Sequence, residues 1–185
     1  MNFKELKNIL GEEFRYNVNF IIEVIEKLNI RKDAKILDIG TGHGVMTICL
    51  ASKGYHIITG EPKGDNWADW RSSAKKAGVE DLITFKYFKA EKLPFTNAEF
   101  DAIFIYTSFH HINDKVKALN ECVRVIKKDG IIIIFELTPK GIEEVRKRFP
   151  SHPDAVDPRD YAKELPLTEE IIEHGNINAY IYKKK

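Results

Sequence analysis

The stretch that decides the fold is Lys35-Ile36-Leu37-Asp38-Ile39-Gly40-Thr41-Gly42-His43-Gly44. Its first five residues have the apolar pattern of a short buried strand, and the next five form a glycine-rich turn before a helical run to Lys53. Glycines at 40, 42 and 44 permit positive φ angles, and the N-terminus of the following helix presents N–H groups to an anionic ligand. The sequence therefore predicts a strand, a ligand-binding turn and a helix in that order.

The rest of the chain repeats this alternation of strands and helices. Asn113 is the expected cap of a fifteen-residue helix, and Gly130 is its expected terminator. Further elements are a lead-in helix at 14–28, strands at 55–60, 82–88, 100–106 and 131–135, a helix at 140–148, and a terminal hairpin of 168–174 and 177–182. This pattern favours an α/β fold: a Rossmann-like, doubly wound, mostly parallel sheet with an antiparallel C-terminal hairpin strand at its edge. We expect one domain over 1–185, with an N-terminal cap helix in 1–30 and the core in 31–185.

Composition excludes several classes of protein. The 185 residues carry a formal net charge of +1, which is not the basic footprint of a nucleic-acid-binding protein. No apolar run approaches a membrane span, and the N-terminus lacks the pattern of a secretory signal, so we expect a cytoplasmic protein without a membrane partner. Cys49 and Cys122 lie far apart in apolar stretches and are expected to be buried core residues.

The segment Leu37 to Gly44 resembles motif I of class I S-adenosylmethionine-dependent methyltransferases, and further landmarks over 34–137 resemble the type 11 members. The NAD fingerprint G-x-G-x-x-G would need glycine at 45, where Val45 stands. The resemblance implies S-adenosylmethionine as the cofactor, with Asp38 near its methionine part and Glu61 on its ribose hydroxyls. The cofactor-binding residues that it implies are Asp38, Gly40, Thr41, Gly42, Gly44, Glu61, Pro62, Ala90, Glu91 and Tyr106.

One residue departs from the family pattern. Where the family usually has an Asp that accepts a hydrogen bond from adenine, this chain has Lys89, which has no acceptor. Either the backbone around Ala90 and Glu91 reads the adenine alone, or Glu91 takes the place of the acid, or the cofactor binds weakly.

The resemblance implies methyl transfer from S-adenosylmethionine to a small-molecule acceptor by in-line displacement. His110 and His111 follow the fourth strand, and either is a candidate general base. The alternative is that one of them packs against or caps the following helix while the other lines the pocket without a catalytic role. No metal is predicted, because only Asp101 and Asp114 lie near this segment.

Two short segments are expected to cover the acceptor. One contains Tyr16, and the other, Ser151 to Tyr161, contains His152, Arg159 and Tyr161. Tyr16, Arg159 and Tyr161 are therefore candidate substrate residues, although a surface loop without ligand contact is a simpler reading of the second segment. So little covering chain suits a small acceptor, or else a homodimer or partner subunit that completes the site. The alternative function is a catalytically inactive, methyltransferase-like cofactor-binding or scaffold subunit.

Overall fold

The protein is described from a computed structural model that covers residues 3–11, 15–64 and 69–185. The chain consists of two compact units, Met1–Lys89 and Ala90–Lys185. The glycine turn belongs to the first unit, and the two adjacent histidines belong to the second. The prediction of a single domain over 1–185 stays a prediction.

The first unit contains three parallel strands in the order β3-β2-β1. Its elements in chain order are α1 (Phe3–Leu10), α2 (Arg15–Lys27), β1 (Ile36–Ile39), α3 (Val45–Ser52), β2 (Ile57–Glu61), α4 (Trp70–Lys76) and β3 (Ile83–Tyr87). Every residue of β1 is buried, and α3 is buried from Val45 to Ala51, as expected of a strand and a helix that have no solvent face. Because β1 and β2 are parallel, their carboxyl ends lie side by side.

The second unit contains four strands in the order β4-β5-β7-β6. Its elements are β4 (Phe100–Tyr106), α5 (Lys115–Val125), β5 (Ile126–Leu137), α6 (Pro139–Arg146), α7 (Arg159–Ala162), β6 (Leu167–His174) and β7 (Ile177–Lys184). Strands β4 and β5 are parallel, whereas β7 is antiparallel to both β5 and β6. The predicted terminal hairpin around Gly175-Asn176 is confirmed, with β6 as the outer strand.

The helix after β4 differs from its prediction at both ends. Asp114, not Asn113, caps α5, because its side chain accepts the N–H of Lys117. The helix ends at Val125, since Ile126 is extended and pairs with Phe100 as the first residue of β5. Gly130 therefore lies inside the strand, where a β-carbon would come within 2.7 Å of the Ile126 side chain. Val116 in the first turn of α5 is 49% exposed, because the buried face of the helix consists of Ala118, Leu119, Cys122 and Val125.

Both cysteines are buried as predicted. Cys49 lies in α3 and Cys122 in α5, and both thiols are free. Burial raises the pKa of the Cys122 thiol to about 12, so it stays protonated and unreactive at neutral pH.

Gly60, near the end of β2 and next to the glycine turn, lies where the backbone of β2 approaches that of β3 very closely. Its carbonyl accepts the N–H of Gly40 at 2.9 Å. A β-carbon at this position would lie 2.0 Å from the carbonyl oxygen of Lys86 and 2.5 Å from the Phe88 ring. The close approach of β2 to β3 therefore requires glycine here.

We predict that Gly60→Ala lowers the free energy of unfolding by about 3 kcal/mol, the upper end of overpacking costs, because a backbone carbonyl blocks the new methyl group. Gly54→Ala is the control: it has open space around it, and its φ of 83° costs about 1 kcal/mol. Urea unfolding of both variants measures the difference. Equal costs would contradict the assignment of a close contact at Gly60.

Candidate cofactor and catalytic site

The glycine turn lies between β1 and α3 in the first unit. Gly40, Gly42 and Gly44 all have positive φ, at 90°, 48° and 75°. Gly44 donates its N–H to the carbonyl of Thr41 at 2.7 Å and directly precedes α3. Around Gly42 nothing lies within 4 Å of a virtual β-carbon, whereas at Gly44 the β-carbon of Trp70 would lie 2.8 Å away. The turn therefore has a left-handed backbone with open space at Gly42 and close packing at Gly44.

Asp38 is buried in β1 and is held on one side only. The hydroxyl groups of Thr47 and Thr59 both donate to its Oδ2, the second at 2.9 Å. Thr41 lies 2.8 Å from the Thr59 hydroxyl, and since Thr59 donates to Asp38, Thr41 donates to Thr59. Oδ1 is buried and makes no hydrogen bond with the described residues. Burial raises the pKa of this carboxyl group to about 7, against the effect of the two hydroxyl donors.

Glu61 ends β2 and lies beside the glycine turn. It is 5% exposed, and its Oε2 accepts the N–H of Gly42 at 3.1 Å. The half-buried Pro62 follows it. The structure thus brings together Asp38, Thr41, Gly42 and Glu61, as the carboxyl ends of two parallel strands require. Their roles in cofactor binding remain predictions.

The other predicted cofactor residues lie in the second unit. Ala90 is buried, and the Tyr106 ring is buried 6.2 Å from the ring of Phe135. Glu91 is half-buried, and its Oε1 accepts the N–H of Asp114 at 3.4 Å. Lys89, the last residue of the first unit, is exposed. The structure therefore leaves all three readings of the Lys89 departure open.

His110 and His111 form a short 3₁₀ helix, Phe109–His111, after β4. His110 is buried and paired with Glu136 of β5: its Nδ1 lies 2.7 Å from Oε1, and its backbone N–H donates to Oε2 at 3.1 Å. Oε1 also accepts the N–H of Leu137 at 2.8 Å. Both oxygens of Glu136 accept backbone N–H groups, so Nδ1 of His110 is the donor to Oε1, and in the neutral ring the lone pair is then on Nε2. That Nε2 atom is buried and makes no hydrogen bond with the described residues.

His111 and His152 complete a group of three imidazoles. The ring centroids of His110 and His111 are 4.1 Å apart, and the His152 ring lies 4.9 Å and 5.6 Å from them. Desolvation, together with the nearby His110 and His152, lowers the pKa of His111 to about 4, so this ring is neutral at physiological pH.

The predicted substrate residues have separate surroundings. The side chain of Tyr16 in α2 lies outside the described residues. Arg159 forms an ion pair with Asp157, with Nη2 2.6 Å from Oδ2. The Tyr161 ring packs against Phe109 at 5.9 Å, next to the histidine pair. Tyr161 is therefore near the candidate catalytic residues, whereas the guanidinium of Arg159 is bound to its own loop.

Glu136 is the functional candidate that sequence reasoning missed. It is a single charged residue in an otherwise apolar run from Ile131 to Leu137. An acid in a strand that is buried on both faces must have a buried donor, and that signal was present in the sequence.

The model of the methyltransferase domain matches residues 37–134, just over half of the chain. The chain belongs to this family. The prediction of a class I S-adenosylmethionine-dependent methyltransferase from the motif at Leu37 to Gly44 is confirmed, and S-adenosylmethionine is the cofactor of the family. A second model, that of ribosomal RNA adenine dimethylase, matches residues 3–57. Glu136 and His152 lie outside both matches.

Curated methyltransferase-family relatives include small-molecule methyltransferases. A demethylmenaquinone methyltransferase of Thermotoga maritima is 32% identical over 64% of this chain and 49% of its own length. The 27-O-demethylrifamycin SV methyltransferase of Amycolatopsis mediterranei is 29% identical over 65% of this chain and 46% of its own. The methyltransferase-family chain thus spans about half the length of these relatives.

Solved structures agree with the Rossmann-like fold of this methyltransferase-family chain. The YcgJ protein of Bacillus subtilis has a TM-score of 0.68 at 25% identity, over 84% of this chain and 71% of its own. The PH0226 protein of Pyrococcus horikoshii has a TM-score of 0.77 at 19% identity, over 97% of this chain and 95% of its own. The predicted fold class is therefore confirmed.

None of the helices in the described ranges is long and apolar enough to cross a membrane.

We predict that Asp38→Asn stabilises the ligand-free protein increasingly as pH rises from 5 to 8. Folded Asp38 keeps its proton up to about pH 7, whereas the unfolded carboxyl group loses it near 3.8, so the wild type loses stability over this range. The raised pKa corresponds to a change of at most roughly 2.6 kcal/mol in this difference between pH 5 and 8. Urea unfolding at several pH values measures it, with the exposed Asp81→Asn as the control. A pH-independent difference would contradict the raised pKa.

Proposed function

We propose that this chain binds S-adenosylmethionine at the β1–α3 turn and transfers its methyl group to a small-molecule acceptor. The observation that carries the proposal is the pair of buried acids at the glycine turn. Glu61 is bonded to Gly42 of the turn, and Asp38 has one buried oxygen that makes no hydrogen bond with the described residues. A buried acceptor of this kind suits a ligand with donor groups, and the cofactor has an ammonium group and two ribose hydroxyls.

The residues of the first unit fit the cofactor in three respects. The open space at Gly42 admits a ligand against the backbone. The position of Glu61 at the turn suits a carboxylate that accepts two ribose hydroxyl groups. Asp38 Oδ1 suits the ammonium of the methionine part, directly or through water.

The cofactor supplies an activated methyl group on a sulfonium, which an acceptor atom displaces in line. The protein therefore contributes mainly alignment and exclusion of water. His110 is the candidate general base whose ring is held by Glu136. Tyr161, whose ring packs against Phe109, is a predicted substrate residue that lies beside this histidine.

The small-molecule class of the acceptor is supported by the relatives. Those named above are described as methyltransferases of demethylmenaquinone and of a demethylrifamycin, both small molecules. The near-neutral net charge also argues against a polyanionic acceptor.

The alternative is an inactive cofactor-binding or scaffold subunit, and the exposed Lys89 favours it. Lysine has no acceptor for the adenine amino group. A tight cofactor complex without turnover on any acceptor class would support this alternative.

We predict that Glu61→Ala weakens binding of S-adenosylmethionine at least about tenfold, because it removes charge-assisted hydrogen bonds worth about 1.5–3 kcal/mol each. Isothermal titration with S-adenosylmethionine, S-adenosylhomocysteine and NADH measures this affinity. The control is Glu23→Ala, an exposed acid on α2. Circular dichroism establishes that each variant is folded. Unchanged affinity in folded Glu61→Ala would contradict the ribose assignment.

We predict that the protein converts S-adenosylmethionine to S-adenosylhomocysteine only when a methyl acceptor is present. The panel contains hydroquinones, phenols, amines and thiols, with RNA as the comparison. Turnover on a small molecule supports the proposal, whereas turnover on RNA alone would overturn the acceptor class.

A further inference from the structure

Three histidines of the second unit converge at one point. His110 and His111 come from the 3₁₀ helix after β4, and His152 comes from the loop after α6. Their potential ligand nitrogens all lie within 4.8 Å of one another. The three come from two segments that are 40 residues apart, so their proximity is a product of the fold.

The buried member of the group has an unsatisfied nitrogen. The side chain of His110 is 1% exposed, its Nδ1 is held by Glu136, and its Nε2 makes no hydrogen bond with the described residues. A buried acceptor without a partner costs free energy, and a bound ion or a catalytic role is among the explanations for such a group in a native protein. In the neutral ring, Nε2 therefore has an oriented lone pair without a hydrogen-bond partner in the described part of the chain.

We propose that His110, His111 and His152 bind one divalent transition-metal ion, with Zn²⁺ as the best candidate. Imidazole nitrogen is a preferred ligand of zinc, copper, iron and nickel. Metal-bound histidines almost always donate their other N–H to a carboxylate or carbonyl, which orients the ring. The Glu136 carboxylate is that acceptor for His110.

The geometry requires only a small contraction. Nitrogens about 2.1 Å from a tetrahedral zinc ion are about 3.4 Å apart, compared with the 4.8 Å limit observed here. His110 is held by Glu136, whereas His111 is exposed and His152 is half-buried. The backbone of His152 is anchored, because its carbonyl accepts Nε and Nη2 of Arg146 at 2.9 and 2.7 Å. The loop therefore already holds His152 near the other two.

The charges around the cluster are compatible with a dication. Metal binding requires neutral imidazoles, and the Glu136 carboxylate lies directly behind His110. The opposing charges are Lys115 and Arg146. The ammonium of Lys115 is bonded to the carbonyl of Ile112 at 2.7 Å, and the guanidinium of Arg146, which also donates to the His152 carbonyl, is paired with Asp154 at 2.7 Å.

This site departs from the sequence prediction of no metal. That prediction looked for acids around a hard cation, whereas the cluster is built from imidazoles. Glu136 and His152 lie beyond the residues that match the methyltransferase domain. The site therefore extends beyond the matched segment.

Three protein ligands leave one position of a tetrahedral ion open, as in catalytic zinc sites. An oxygen of the methyl acceptor is the ligand that this position suits. This role rests on the proposed methyl transfer, but metal binding itself does not.

The test uses full-length protein without a histidine tag, stripped with EDTA. Titration calorimetry with ZnCl₂ at pH 7.5 is expected to show one equivalent bound with micromolar or tighter affinity. Titration with Co²⁺ is expected to give the visible absorption bands of a tetrahedral site. Both measurements need neither cofactor nor acceptor, so their failure is distinguishable from failure of the proposed methyl transfer.

Variants assign the site to its residues. His111→Ala and His152→Ala, which remove solvent-accessible rings, are each expected to weaken zinc binding at least tenfold. Glu136→Gln is expected to weaken it 10- to 100-fold, as for other carboxylates behind metal-bound histidines. His174→Ala, an exposed histidine of the same unit, is the control and should bind zinc as the wild type does.

Three outcomes would overturn the metal site. They are no stoichiometric zinc binding, binding unchanged in both His111→Ala and His152→Ala, and equal weakening in His174→Ala. The first outcome, combined with loss of turnover in His110→Gln, would assign the open nitrogen to proton transfer instead.

Discussion

Burial of a carboxyl group in β1 is the constraint that organises the first unit. Asp38 has no access to water, so its Oδ2 must be satisfied by neighbours. Thr47 on α3 and Thr59 on β2 supply the hydroxyl groups, and these two bonds join three consecutive elements. The same elements enclose the glycine turn. From β2, the carbonyl of Gly60 accepts the N–H of Gly40, and the carboxylate of Glu61 accepts the N–H of Gly42. One buried acid therefore fixes the geometry around the turn.

The second unit repeats the arrangement with a different partner. Glu136 lies near the end of β5 with a carboxylate that accepts two backbone N–H groups and the ring of His110. Through these bonds it sets both the position of the 3₁₀ helix and the orientation of one imidazole. In each unit, then, a buried acid near the end of a strand fixes a turn and leaves one polar atom of the arrangement unsatisfied.

The sequence predicted the fold where local pattern and burial agree. Strand β4 was predicted with its observed bounds, because it contains the continuous apolar run from Ala102 to Tyr106 and is followed by the polar residues Thr107 and Ser108. The start of β5 was wrong, because helical periodicity continues through Ile126 while pairing with Phe100 draws that residue into a strand. Tertiary pairing overrides local propensity at such a boundary. A window of sequence around Ile126 does not include its partner Phe100, so local pattern does not predict the pairing.

The candidate site divides in the same way. Asp38, Gly42 and Glu61 were predictable, because the carboxyl ends of parallel strands meet and a short motif marks them. The group of His110, His111 and His152 was not, since His152 comes from a loop whose path depends on Arg146 and the packing of α6. The sequence contained the signal of a buried acid at Glu136, but it did not indicate which of the six histidines pairs with it.

The unsatisfied atoms connect stability to function. A polar atom that loses its hydrogen bond to water on folding, and gains no new one, costs more free energy than a typical hydrogen bond contributes. Asp38 Oδ1 and His110 Nε2, which have no partner among the described residues, therefore each destabilise the ligand-free protein. A ligand that completes either atom removes that cost only in the folded state, and part of its binding energy therefore appears as stabilisation of the fold. Filling either position with a protein donor would give a more stable protein, but one without a place for a ligand. Atoms that are costly, buried and oriented are for this reason better evidence of binding than exposed polar groups, which water satisfies in any case.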